Sequence, residues 1–86
     1  MRLNWQKKRD DDWESRQGIG DKYVLLRTWK LDSGSWFWTA YLVKENDGAN
    51  RMQIGGAQDP LRDESTAVRQ AHDWYSRYAV ELAAAM

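Results

Sequence analysis

His72 is the only histidine in the chain, and histidine is the side chain most ready to move a proton near neutral pH. A catalytic base needs an orienting partner and a nucleophile or substrate proton within reach. On a helix, Asp73 projects away from its neighbour His72, and no serine stands in a nucleophile-elbow context. His72 falls about 100° from the centre of an apolar helical arc, so a hydrogen-bonded histidine at the edge of the core is expected. Asp10, Asp11, Asp12 and Glu14 offer carboxylate oxygens to a hard cation, but without EF-hand spacing or the glycine that shapes such a loop. Preceded by Arg2, Lys7, Lys8 and Arg9, they read as a solvated, self-neutralising charge block. Gly18-Ile19-Gly20 is half of a dinucleotide fingerprint, with no helix after it to receive a phosphate, and reads as a turn. With no cysteine there is no thiolate ligand, nucleophile or disulfide. The expectation is a non-enzymatic chain with no catalytic residues, metal or cofactor.

The chemistry that remains is that of binding. Six tryptophans, four tyrosines and one phenylalanine are many large rings for 86 residues, which allow one domain with a thin core. Thirteen basic and thirteen acidic residues cancel, without the strong basic excess of a typical polyanion binder. The cancellation is uneven, because residues 1–31 carry eight basic against five acidic side chains. No secretory h-region or 20-residue apolar span is visible, so a cytoplasmic location is expected.

The elements that must position these rings follow from periodicity. Tyr23 to Leu31 is β-branched and aromatic and ends at Asp32-Ser33-Gly34; Ser35 to Val43 is a second strand, bounded by the turn residues 44–48. Arg51 to Ile54 is a shorter third strand, stopped by Gly55-Gly56. Asp12 to Gln17 is a candidate edge strand within an N-terminal segment, residues 1–20, that otherwise serves as a lid. After Pro60, Asp63 or Ser65 caps a helix over residues 63–84. Its apolar arc holds Ala67, Val68, Ala71, Trp74, Tyr75, Tyr78, Ala79 and Leu82, and Arg69, Asp73, Arg77 and Glu81 alternate in sign on the other side. The fold class is α+β: a three- to four-stranded antiparallel meander over residues 21–56, with one C-terminal amphipathic helix packed on one face.

The second strand is apolar on both faces, whereas a single helix covers only one. The N-terminal segment with Leu3, Trp5 and Trp13, a second subunit, or a ligand must cover the other. Which face meets the helix depends on the turn at Ser33-Gly34. A two- or four-residue loop pairs Trp29 with Trp38. A three-residue loop with Gly34 left-handed pairs Lys30 with Trp36 and Leu26 with Ala40. In that second register Tyr23, Leu25, Arg27, Trp29, Phe37, Thr39 and Tyr41 share a face that resembles a recognition surface. The small Ala40 favours Trp36, Trp38, Ala40, Leu42, Met52 and Ile54 as the helix-facing set.

Trp5, Trp13, Tyr23, Arg27, Trp29, Phe37 and Tyr41 are therefore the candidate binding surface, for a protein partner or a second copy of the chain. The alternative is a nucleic-acid-binding module in which Lys7, Lys8, Arg9, Arg27, Lys30 and Arg51, with Lys44 and Arg2, contact phosphates or base edges. Two resemblances bear on this choice. Gly34-Ser35-Trp36, Trp38-Thr39-Ala40, Gly55-Gly56 and Ser65-Thr66-Ala67 resemble the βββα arm-binding domain of phage-type tyrosine integrases over residues 21–80. That likeness implies DNA contact through the sheet, although this chain lacks the basic excess expected there. Over the whole chain, Trp5, Trp13, the glycine-bounded Tyr23 strand, the Trp-rich strand and the alanine-rich helix resemble small accessory proteins of actinobacterial phages and prophages. That likeness implies a stand-alone product that binds a host or phage macromolecule.

Overall fold

Residues 12–19 alternate Asp-Trp-Glu-Ser-Arg-Gln-Gly-Ile, a period of two that places one set of side chains on each side of a strand. In the computed structural model, which describes residues 3–85 apart from the side chains of 47–49 and 82–85, this alternation forms a full strand. The N-terminal segment is thus two strands, β1 (Gln6–Arg9) and β2 (Asp12–Ile19), instead of a lid. They are followed by β3 (Lys22–Lys30), β4 (Trp36–Lys44), β5 (Asp47–Gly56) and α1 (Glu64–Ala85). The five strands run in the order β1-β2-β3-β4-β5, all neighbours antiparallel, so the meander is wider than the three or four strands expected. Arg2 and the side chain of Leu82 lie outside the described residues.

Local backbone chemistry sets the turns. Asp11, at φ 65°, holds a left-handed position in the tight turn between β1 and β2, which aspartate tolerates better than most residues. Gly34 has φ 91° in the β3–β4 connection, where Leu31 and Ser35 still bond through Leu31 N to Ser35 O at 2.7 Å. That leaves a three-residue loop and pairs Lys30 with Trp36, Thr28 with Trp38 and Leu26 with Ala40. Of the two hairpin registers, the second is the one adopted. The irregularity opposite Ala40 and Tyr41 leaves Ile54 as an extra residue that turns into the core.

Asp63 caps α1, its Oδ1 accepting from the Thr66 N–H at 2.8 Å. The helix lies across β3 and β4. Ala67 and Ala71 are buried and bring it close to Val24, Leu26, Trp38 and Ala40. Trp74 stacks on Tyr78, with centroids 5.0 Å apart, and rests against Gly55, where a Cβ would stand 2.6 Å from the indole. Glycine at position 55 is therefore a condition of helix docking. Leu42 and Ile54 take the helix-facing places expected of them. Met52 shares a face with Leu42 but is 59% exposed, because it lies beyond the reach of the helix. Two buried polar groups on this side are satisfied: the Trp38 Nε1–H donates to Gln70 Oε1, and the Thr28 hydroxyl to the Phe37 carbonyl.

Candidate functional site

Cross-strand partners project to the same side of a sheet, so the register sorts the rings and charges into two faces. Trp13, Ser15, Gln17 and Ile19 pair with Thr28, Leu26, Val24 and Lys22, which places them on the helix side. Leu3, Trp5 and Trp13 all pack with the helix-side core. Trp5 and Trp13 are thereby separated from the other five residues of the candidate surface, and none of Leu3, Trp5 and Trp13 covers the second face. Tyr23, Arg27, Trp29, Phe37 and Tyr41 do come together on that face.

The far face is organised in rows across the strands, about 6.6 Å apart. Asp12, Trp29 and Phe37 form the first row, and Glu14, Arg27, Thr39 and Gly56 the second. Arg16, Leu25, Tyr41 and Gln53 form the third, and Gly18, Tyr23, Val43 and Arg51 the fourth. Leu25 is 2% exposed and Val43 fully covered, although no helix or segment among the described residues lies over them. Their cover is supplied by rings and by the apolar stems of arginines laid flat on the sheet. The Arg16 guanidinium lies 5.2 Å from the Tyr23 ring centroid, Arg27 5.5 Å from Trp29, and Arg51 5.6 Å from Tyr41. Trp29 and Phe37 meet at a tilt of 60°, with centroids 5.6 Å apart.

Charge is distributed unevenly over this face. Arg27 Nη2 stands 3.3 Å from Asp12 Oδ2, while Arg16 and Lys8 approach Glu14 at 3.3 and 3.7 Å. Arg9 is paired with Asp12 in the β1–β2 register. Among the described side chains, Lys8, Arg9, Arg16, Arg27 and Arg51 face Asp12 and Glu14 here, a surplus of three positive charges on a chain of net charge zero. At the centre of the face, Arg27 Nε and Thr39 Oγ1, on directly paired residues, are buried without a hydrogen-bond partner. A buried polar atom left unpaired costs free energy, and two adjacent ones mark this as a locus of unmet hydrogen bonding.

The remaining candidate cations lie elsewhere. Lys7 is on the helix side, 6.0 Å from the Trp13 ring centroid and paired with Asp10 at 3.1 Å. Lys30, opposite Trp36, is also on the helix side, one residue out of phase with Trp29. Lys44 pairs with Lys22 on the helix side as well. Arg16 is absent from the candidate surface, because residues 12–17 read only as a short edge strand; Asp12, Glu14 and Arg16 are spaced by two, but the polar Ser15 and Gln17 between them blunt the alternation that would find it.

His72 is half-buried and lines a cavity of about 460 Å³ with Leu3, Trp5, Val68 and Arg69. The Asp73 carboxylate does reach it, with Oδ1 3.8 Å from Nδ1, although helical geometry alone directs the two residues apart. That separation is too long for a catalytic hydrogen bond. A second cleft, about 520 Å³, runs between α1 and residues 56–61 past Trp38, Trp74 and Arg77. Among the described residues no three acidic or histidine side chains are grouped to hold a metal ion, and no helix is long and apolar enough to cross a membrane. Burial and the neighbouring Tyr78 raise the pKa of the Tyr75 phenol, which serves as a core ring. No protein-family model, curated protein or solved structure matches the chain.

Proposed function

We propose that this chain is a non-enzymatic binding protein whose working surface is the sheet face opposite α1. One observation carries the reading: Tyr23, Trp29, Phe37 and Tyr41, each only partly covered, are gathered with three arginines on a face that no described residue overlies. Tryptophan, tyrosine and arginine are the side chains that dominate binding hot spots, since each offers a large contact area with a polar handle. A face built only to close a core would carry aliphatic residues and a second layer. The likeness to phage accessory proteins supports a host or phage macromolecule as the partner. Two copies meeting through this face would bring like charges together, which opposes a face-to-face homodimer.

The test is site-specific photo-crosslinking in cells, with the reactive amino acid at position 37 on the sheet face or at position 80 on the outer side of α1, where Val80 is 68% exposed. Adducts from position 37 and none from position 80 are expected. Adducts from position 80 alone would overturn the assignment of the face.

A further inference from the structure

We infer that the far face binds single-stranded nucleic acid, with bases on the rings of Trp29, Phe37 and Tyr41 and phosphates on Arg16, Arg27 and Arg51; this rests on the face being the working surface. The rings lie on β3 and β4, two central strands of the sheet, and are only partly covered. Unpaired bases bind any flat π surface with little sequence preference, and a base takes the face of Trp29 or Tyr41 as the arginine lying over that ring turns to a phosphate. Each of the three arginines lies beside a ring, within reach of the phosphate of a stacked nucleotide once Arg16 and Arg27 leave their carboxylates. The surplus of three positive charges complements a phosphate backbone.

Width argues against a duplex. Five strands spaced about 4.8 Å apart span about 19 Å, whereas a major groove of about 12 Å admits a helix or a two-stranded ribbon. An acidic peptide would match the charge but supply no planar partners for the rings. In the free protein, Asp12 holds Arg27 and Glu14 holds Arg16, so two carboxylates occupy places that phosphates would take. The unpaired Arg27 Nε and Thr39 Oγ1 lie at the same point. A phosphate drawing Arg27 away from Asp12 would reorganise that point and offer both groups a partner. Asp12 is then an internal competitor, and removing its charge should strengthen binding, an effect that loss of structure does not produce.

The experiment is fluorescence anisotropy with short labelled oligo(dT) and oligo(U), a duplex of equal length, and polyglutamate as competitor, with the fold of each variant checked by circular dichroism. Single strands are expected to bind more tightly than duplex. Trp29→Leu and Phe37→Leu should each weaken binding about tenfold. Arg51→Gln should lower the salt slope by about 0.7, the share of one phosphate contact. Asp12→Asn should tighten binding. Duplex or polyglutamate binding as well as single strands, with the leucine variants unaffected, would overturn the inference and leave a polyanion-binding face. Absence of single-strand binding at about 50 mM salt would overturn it as well. In both cases protein adducts from position 37 in the crosslinking experiment would keep the face itself as the working surface.

Discussion

Leu25 and Leu26 are neighbours in β3 and nearly equally buried, at 2% and 0% exposure, yet they are covered by different kinds of structure. Leu26 lies under α1 with Ala40, Trp38 and the helix alanines, in a layer closed by a second element. Leu25 lies between Arg16 and Tyr41, under side chains anchored only at the sheet surface. The helix side is closed by a packed element that can leave only at great cost. The far side is closed by single side chains, held to one another by ring contacts and ion pairs at the sheet surface. A sheet that buries one face in a core and dresses the other in rings and arginines separates stability from recognition. The largest expected effects on folding therefore come from one face, and those on binding from the other.

The comparison is broken first by truncation. Leu26→Ala should cost about 3–5 kcal/mol, because the helix layer cannot collapse into the void. Leu25→Ala should cost about 2 kcal/mol, since Arg16 and Tyr41 are free to settle into the space. Equal losses in denaturant unfolding would show that the far face is as rigid as the core. Gly55→Ala comes next. Its new methyl meets the Trp74 indole and should cost about 1–3 kcal/mol, with tryptophan emission shifted as the middle of the helix is pushed off the sheet. Arg51→Gln, at an exposed position of β5, should change stability by less than about 0.5 kcal/mol while altering binding, which sharpens the division.

The smallest effect is at the cap. Hydrogen bonds from Thr66 hold the Asp63 carboxyl below its ordinary value of 3.8. Folding then favours the charged form, so the stabilisation is present above pH 3.8 and lost as pH falls through the lowered value. Asp63→Ala should remove that acid-side dependence and, by losing the cap, lower stability modestly at neutral pH, as read from helical circular dichroism against pH.

Much of this division was legible in the residues. The 3.6-residue arc of α1, the small Ala40 opposite it and the two-faced apolar β4 led to a sheet with one helix and a second face in need of an account. The hairpin register was not legible, because it turns on whether one glycine adopts a left-handed backbone. Once Gly34 does, Tyr23, Arg27, Trp29, Phe37 and Tyr41 fall together. The breadth of the sheet was also hidden. The helix-side positions of β2 include Ser15 and Gln17, whose polarity weakens the period-two signal although Ser15 is buried. Trp13 falls on the helix side because it stands one strand position from Asp12 and Glu14, and Trp5, ahead of β1, packs against the same core.

The central claim is that the rings of the far face are open to solvent and to a partner. Dye-sensitised photo-CIDNP, recorded over a dilution series, reports which indole and phenol rings a small flavin can touch. Polarisation of Trp29, Tyr23 and Tyr41 at every concentration, with Trp38 and Tyr75 silent, is the predicted result. Silent Trp29, Tyr23 and Tyr41 at all dilutions would mean that this face is covered within the chain, and would contradict the account.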